Sequence, residues 1–186
     1  METNLTSVPT VETDLLRGQD IRHDIRTLKS VGELFEDREA LAILPPDTPA
    51  YEVFSYLPVP EGTTGGLFYG ITRIHPLLVG DEYMMTKGHF HAQTDRAEFY
   101  WGIRGEGILL MMDTRRHIRT ERVLPGSLHY IPGGFAHRMI NTGDTLFSFG
   151  ACWPSDAGHD YETIAREGFP ARIKKVNGTP RILKTE

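Results

Sequence analysis

The chain has one cysteine, Cys152. That forbids an internal disulfide and fits a reducing compartment. No apolar run approaches the roughly 20 residues of a membrane span, so no membrane helix is expected. Positive charge is not in excess: Lys and Arg number 20 against 25 Asp and Glu, a net −5. A broad electrostatic footprint for nucleic acid is thereby excluded. The first residues, Met1 to Asp20, have neither a basic start nor an apolar core, which predicts no signal peptide and a cytoplasmic protein. Internal repeats and low-complexity linkers are absent. With 39% hydrophobic and 24% charged residues the chain is neither disordered nor collagen-like. Its 186 residues and 21.0 kDa suit one domain. A chain of this size buries about 70% of its unfolded surface.

What is present is punctuation and alternation. The 19 glycines and 12 prolines favour turns and short strands. The first 45 residues read as an extension. In it Arg22, His23, Asp24, Arg26 and Lys29 form a mixed-charge, solvated stretch. Ser30 and Glu33 have capping-box spacing, and Val31, Leu34 and Phe35 follow at helical spacing, predicting a short helix from Val31 to Glu39. From residue 46 to 155 the period changes to two. Strands are expected at 51–57, 67–74, 83–91, 98–103, 108–112, 118–123, 128–131, 136–141 and 146–151, separated by turn signals such as Pro125-Gly126 and Asn141 to Asp144. Closely spaced strands with no helix between them indicate a sandwich or barrel. Residues 156–186 belong to the same domain: a helix over 160–167, stopped by Gly168 and Pro170, then a weak hairpin over 171–183. Met84, Met85, Met111, Met112, Phe147 and Phe149 read as core, and Cys152 as a small buried hydrophobe.

The chemistry concentrates between Thr86 and Tyr100. Residues two apart on a strand share a face, so His89 and His91 aim two imidazoles at one spot. Glu98 opens the next strand and can return beside them. His137 follows the turn at Pro132-Gly133-Gly134. Three neutral imidazoles and one carboxylate suit one divalent transition metal and leave positions open for water or substrate. Tyr100 shares Glu98's face on a regular strand and can order the carboxylate or meet a substrate. His23, His75, His117 and His129 lack partners of clear spacing and read as surface or structural residues.

This constellation resembles the cupin superfamily. Its first motif runs here from Gly80 through His89, His91 and Glu98 to Gly105, and its second from Pro125-Gly126 through Pro132 and His137 to Asn141. A narrower resemblance is to the cupin-type (archaeal-type) phosphoglucose isomerases. It rests on Thr72, Pro76, Gly80 and Glu82, the run Thr86 to His91, Glu98 to Tyr100, His137-Arg138, Asn141 to Asp144, and Pro154 to Tyr161, and covers residues 50 to 170. Two positions depart from the family pattern. Gly133 stands where the family has a second proline, and Trp153 replaces the tyrosine of a Tyr-Pro pair, removing a phenol hydroxyl near the sugar site.

The resemblance implies a mainly β fold, a jelly-roll-like barrel of two antiparallel sheets with a metal in its mouth. It implies interconversion of glucose 6-phosphate and fructose 6-phosphate in glycolysis and gluconeogenesis, by a cytoplasmic homodimer. Iron(II) is the metal it implies first, with nickel, manganese or zinc also able to serve. It places the phosphate on Thr72, Thr86 and the backbone of Gly88, with a cationic His159 and Tyr51 assisting. Glu98 is the candidate base, as the only carboxylate of the centre. A direct hydride shift is the other route, since a metal-bound carboxylate is a weak base. Lys87 is set aside and Tyr161 read as packing. Three rival readings use the same residues: an isomerase or epimerase of another sugar phosphate, a non-catalytic sugar-binding cupin, and an iron dioxygenase, which gives residues 157–161 no role.

Overall fold

Residues 8–185 are described by a computed structural model. In chain order the elements are β1 (Thr10–Glu12), β2 (Leu15–Arg17), β3 (Ile21–Thr27), α1 (Leu28–Val31), α2 (Arg38–Ala42), β4 (Pro49–Tyr56), β5 (Leu67–Ile74), β6 (Leu78–Val79), β7 (Glu82–Tyr83), β8 (Glu98–Arg104), β9 (Gly107–Met112), β10 (Ile118–Val123), β11 (Leu128–Ile131), β12 (Ala136–Asn141), β13 (Phe147–Pro154), α3 (Tyr161–Glu167), β14 (Ala171–Val176) and β15 (Thr179–Lys184). Six strands form one sheet in the order β11-β8-β13-β5-β4-β3. Two smaller sheets, β10-β9-β12 and β15-β14-β7-β6, are linked through the segment after β7 by bridges pairing Met85 with Ile140 and His89 with His137. This is the mainly β, antiparallel two-sheet barrel that the sequence implied. Among the described residues no helix is long and apolar enough to cross a membrane.

The inner faces close on one core. Ile74, Tyr100, Phe147 and Phe149 from the large sheet cluster with Leu109, Met111 and Met139 from the smaller ones. Burying a Leu, Met or Phe side chain is worth about 1.5–3 kcal/mol, so this cluster dominates stability. The six Met and Phe residues expected in the core are all buried. Cys152 is not. It is half-buried, pairing on the large sheet with Tyr69 and with the exposed Phe99. Cys152 follows the inward Ala151, so alternation turns it outward.

The N-terminal region departs most from expectation. The mixed-charge stretch over 21–27 is β3, the edge strand of the large sheet, antiparallel to β4. The helix expected over 31–39 breaks into α1, a 3-10 turn at Gly32–Leu34, and α2. The break has a tertiary cause. Phe35 turns into the core at 1% exposure in an extended conformation. The Glu36 N–H donates to the buried Glu82 carboxylate at 2.8 Å, and Arg172 from β14 donates to the Leu34 carbonyl at 2.9 Å and to Glu82 at 2.7 Å. Groups that a continuing helix would bond are thus already engaged. The capping box does not form either. Ser30 donates to the Thr27 carbonyl, and Asp37 caps α2 through the Ala40 N–H.

The strand expected over 83–91 is regular only at β7, with isolated bridges at Met85, His89 and Phe90. Gly88 interrupts it with φ +74, and a Cβ there would lie 3.0 Å from the His137 carbonyl oxygen. The C-terminal expectations hold. Asp160 caps α3 through the Thr163 N–H at 3.0 Å, and Gly168 ends it with φ +63. β14 and β15 form a hairpin across Asn177 and Gly178, both with positive φ, the turn chemistry that suits strand twist. The four histidines set aside all hold carboxylates. His23 and His75 meet Glu52, His117 meets Asp113, and His129 sits between Glu121 and Ser127.

Candidate active site

His89 and His137 are antiparallel neighbours: the His89 N–H donates to the His137 carbonyl at 3.2 Å, and the His137 N–H returns a bond at 3.0 Å. Opposite positions of such a pair carry their side chains on one side. The two rings lie 4.4 Å apart. His91 follows two residues later, and Glu98 enters at the start of β8. The ligand-type atoms of His89, His91, Glu98 and His137 lie within 4.8 Å of one another. Glu98 Oε1 is 2.5 Å from His137 Nε2 and 3.3 Å from His91 Nε2.

These four atoms are also orphans. His89 Nε2, His91 Nε2, His137 Nε2 and Glu98 Oε1 are buried without a well-formed hydrogen bond. Leaving several such atoms at one point is costly unless something binds them. The other ring nitrogens are committed: His91 Nδ1 donates to the Arg96 carbonyl at 2.8 Å, and His137 Nδ1 to the Phe135 carbonyl at 3.3 Å. Those bonds leave the Nε2 lone pairs facing the cluster, the orientation a metal requires. Arg96 is itself held by a two-pronged pair with Asp156, at 2.9 and 2.8 Å. The donor set is that of a divalent transition metal.

The charges in the cluster depend on one another. Burial favours the neutral acid at Glu98, but the neighbouring His137 and His91 outweigh it and hold the carboxyl well below its usual range. Burial and the nearby His137 push His89 well below the usual imidazole value, keeping it neutral. Burial opposes the charged form of His91, yet the neighbouring Glu98 carboxylate raises its pKa on balance. Burial, then the Glu98 charge, pushes the Tyr100 hydroxyl well above its usual range.

A cavity of about 330 Å³ opens over this cluster. That size suits a small organic ligand. Thr72, Thr86, Gly88, Tyr100, His159 and Tyr51, each singled out from the sequence, line it together with His89, Glu98 and His137. His91 joins the cluster without lining the cavity. The Thr86 hydroxyl accepts from the Met139 N–H at 3.1 Å, which leaves its own hydrogen for a ligand. His159 is corrected in one respect. Burial, then the nearby His91, lowers its pKa, which weighs against the cationic form expected from the sequence. Tyr161 and Lys87, set aside earlier, also line the cavity, and Tyr161 stacks on His159 at 5.4 Å.

A model of the family described as Glucose-6-phosphate isomerase (GPI) matches residues 24–183. The chain belongs to the glucose-6-phosphate isomerase family. It is 38% identical over 162 residues to glucose-6-phosphate isomerase of Thermococcus litoralis, covering 86% of this chain and 84% of that one. The protein of the same name from Pyrococcus furiosus is 37% identical over 174 residues, covering 92% and 90%. Among solved structures, oxalate decarboxylase of Bacillus subtilis aligns with a TM-score of 0.46 and 19% identity, over 64% of this chain and 30% of that one. Within this isomerase-family fold, sequence reading missed the wall formed by β3, whose Arg22, Asp24 and Arg26 line the cavity. Their alternation along the chain was the available signal. Trp153 also lines the cavity, edge-on to Phe68 at 5.9 Å.

Proposed function

We propose that this protein interconverts glucose 6-phosphate and fructose 6-phosphate, in glycolysis and gluconeogenesis, using one divalent transition metal held by His89, His91, Glu98 and His137. The observation that carries the reading is the set of four buried, unsatisfied ligand atoms beside a cavity of substrate size. Family membership supports the choice of reaction. Iron(II) is the proposed metal, with nickel, manganese or zinc as substitutes.

The reaction moves hydrogen between C1 and C2 of the open-chain sugar. A metal in this centre supplies electrostatic stabilisation to the substrate oxygens as negative charge develops. Glu98 is the proposed base at the reacting carbons. The Tyr100 hydroxyl, whose pKa burial and the Glu98 charge raise well above its usual range, is the proposed donor that orients this carboxylate. His159 offers a ring nitrogen to the sugar hydroxyls, while Thr72, Thr86, the Gly88 backbone and Tyr51 face the phosphate. Trp153 and Phe68 supply an apolar wall that keeps water from that side.

An isomerase assay on a panel of phosphorylated aldoses, with metal stripped and restored, tests the reading. Glucose 6-phosphate is expected to be turned over, activity to vanish on stripping, and the metal to restore it. A metal-loaded protein that isomerises none of the panel would sink the proposal and leave a sugar-binding role. Preference for another phosphorylated aldose would move the assignment to that substrate.

A homodimer and a cytoplasmic setting complete the proposal. The outer face of the large sheet exposes Phe99, Leu128 and Tyr130 side by side, in register on β8 and β11. A contiguous apolar patch of that kind supports a subunit interface. Sedimentation equilibrium should give twice the chain mass, and Tyr130→Glu should shift it toward the single chain. A monomer at micromolar concentration would count against the dimer.

A further inference from the structure

β3 alternates between the two faces of the large sheet. Its outer side carries His23, stacked on Phe54 at 4.1 Å. Its inner side carries Arg22, Asp24 and Arg26, all lining the cavity. An inner sheet face ordinarily carries apolar residues. Three charged residues in succession there face solvent or a charged ligand instead. Their partners on β4 are Ser55, Val53 and Tyr51, and those pair in turn with Gly70, Thr72 and Ile74 on β5. Arg26 therefore stands beside Tyr51 and Arg22 beside Ser55, while Thr72 lies one strand further in, across Val53 from Asp24.

Many arginines of this acidic chain hold carboxylates, among them Arg17 with Glu12, Arg104 with Asp14, Arg122 with Glu106 and Arg166 with Glu167, although among the described residues Arg38, Arg115, Arg138 and Arg181 do not. Among the described residues neither Arg22 nor Arg26 has such a partner. Lys87 lines the same cavity from the segment leading to His89, with Glu33 at 3.6 Å. The Arg26 charge also reaches the hydroxyls of Tyr51 and Tyr161, where it offsets part of the effect of burial. Arg26 thus shares one region of the cavity with two phenols, while Arg22 lies four residues earlier on the strand, beside Ser55.

We propose that Arg26, assisted by Lys87, grips the phosphate of the substrate, and that Arg22 draws the dianion toward the cavity mouth. The proposal rests on the sugar-phosphate reading above and adds to it the residues that select charge. A guanidinium presents a planar fork that matches two phosphate oxygens. Asp24, between the two arginines, works against anion binding. A sugar lacking phosphate gains nothing from this arrangement.

The test measures binding of inorganic phosphate and of glucose 6-phosphate to the metal-loaded protein by calorimetry, alongside isomerase kinetics and metal content. Arg26→Gln is expected to weaken both ligands by about tenfold or more, the usual scale for a lost charged hydrogen bond. KM should rise to match, with kcat and metal content nearly unchanged. Arg26→Lys should recover part of the affinity. Arg22→Gln should flatten the salt dependence of kcat/KM, the signature of a screened long-range attraction. Asp24→Asn should tighten phosphate binding. Unchanged phosphate affinity in a folded, metal-loaded Arg26→Gln would overturn the proposal, as would a loss confined to kcat. Phosphate held by the metal alone would be indifferent to Arg26 and counts as the same failure. If Arg26→Gln does not fold, Arg26→Lys with full wild-type affinity, together with an unchanged salt slope in Arg22→Gln, overturns it. The two readings separate cleanly. A wild type that binds phosphate through Arg26 yet isomerises nothing loses the catalytic assignment and keeps the anion site. A wild type that isomerises with Arg26 irrelevant does the reverse.

Discussion

The variant His89→Ala/His91→Ala is expected to purify without its transition metal, whereas the wild type carries about one ion per chain and His91→Ala alone loses most of it. Metal affinity changes by about 10- to 100-fold when only an outer partner of a ligand is removed, so deleting two ligands should cost more. The expectation follows from the four Nε2 and Oε1 atoms that are buried without hydrogen-bond partners. With its ligands gone, the centre keeps only His137 and Glu98, too few for a four-ligand site. Stability supplies a second readout. Any ligand that binds only the folded state stabilises it, by about 2.7 kcal/mol at a hundred times its Kd. Adding a chelator should therefore lower the Tm of the wild type and leave that of the double variant unmoved. Elemental analysis showing full occupancy in the double variant would remove the site from consideration.

The centre was legible because its chemistry is encoded locally. His89, His91, Glu98 and His137 carry the spacing of paired strands, and the structure brings all four together. The strands over 67–74, 118–123, 128–131 and 136–141 likewise match their predicted bounds. β5 and β12 carry apolar side chains buried at alternate or successive positions, whereas β11 alternates with His129 and Ile131 inward and β10 buries only Val123. β3 was not legible for a related reason. Its inner residues line the cavity rather than the core, so Arg22, Asp24 and Arg26 carry no hydrophobic period, only an alternation of charge. The helix over 31–39 was misread because its break depends on Glu82 and Arg172, distant in sequence. No local pattern reports a bond of that range. The reach from His89 to His91 was read as regular strand, although Gly88 bends the chain just before it. The histidines converge nonetheless, because the bridge between His89 and His137 sets their direction independently of a continuous ladder.

Glu98→Gln, with metal restored to full occupancy, is expected to keep its affinity for the sugar phosphate and to lose turnover by about 10² to 10⁴, the range for a missing general base. Glutamine preserves the size of the side chain and removes its charge and basicity. Two features of the structure bear on the size of the loss. Burial opposes charge at Glu98, yet His137 and His91 overcome it and keep the group ionised, so the carboxylate is available at neutral pH. The same interactions make it a weaker base, which favours the lower part of the range. Because His137 Nε2 lies 2.5 Å from Glu98 Oε1, the amide must also be shown not to have displaced the imidazole, and metal content provides that control. A direct hydride shift predicts a different outcome: with the metal back in place, the variant retains a substantial part of its rate. Solvent deuterium separates the routes independently. Proton abstraction by Glu98 allows label from water to enter at C1 or C2, while a hydride shift carries the original hydrogen across. Label in the product together with a large loss in Glu98→Gln assigns the base. A near-normal rate in the metal-replete variant, with no label incorporated by the wild type, assigns the hydride route and leaves Glu98 as a ligand alone.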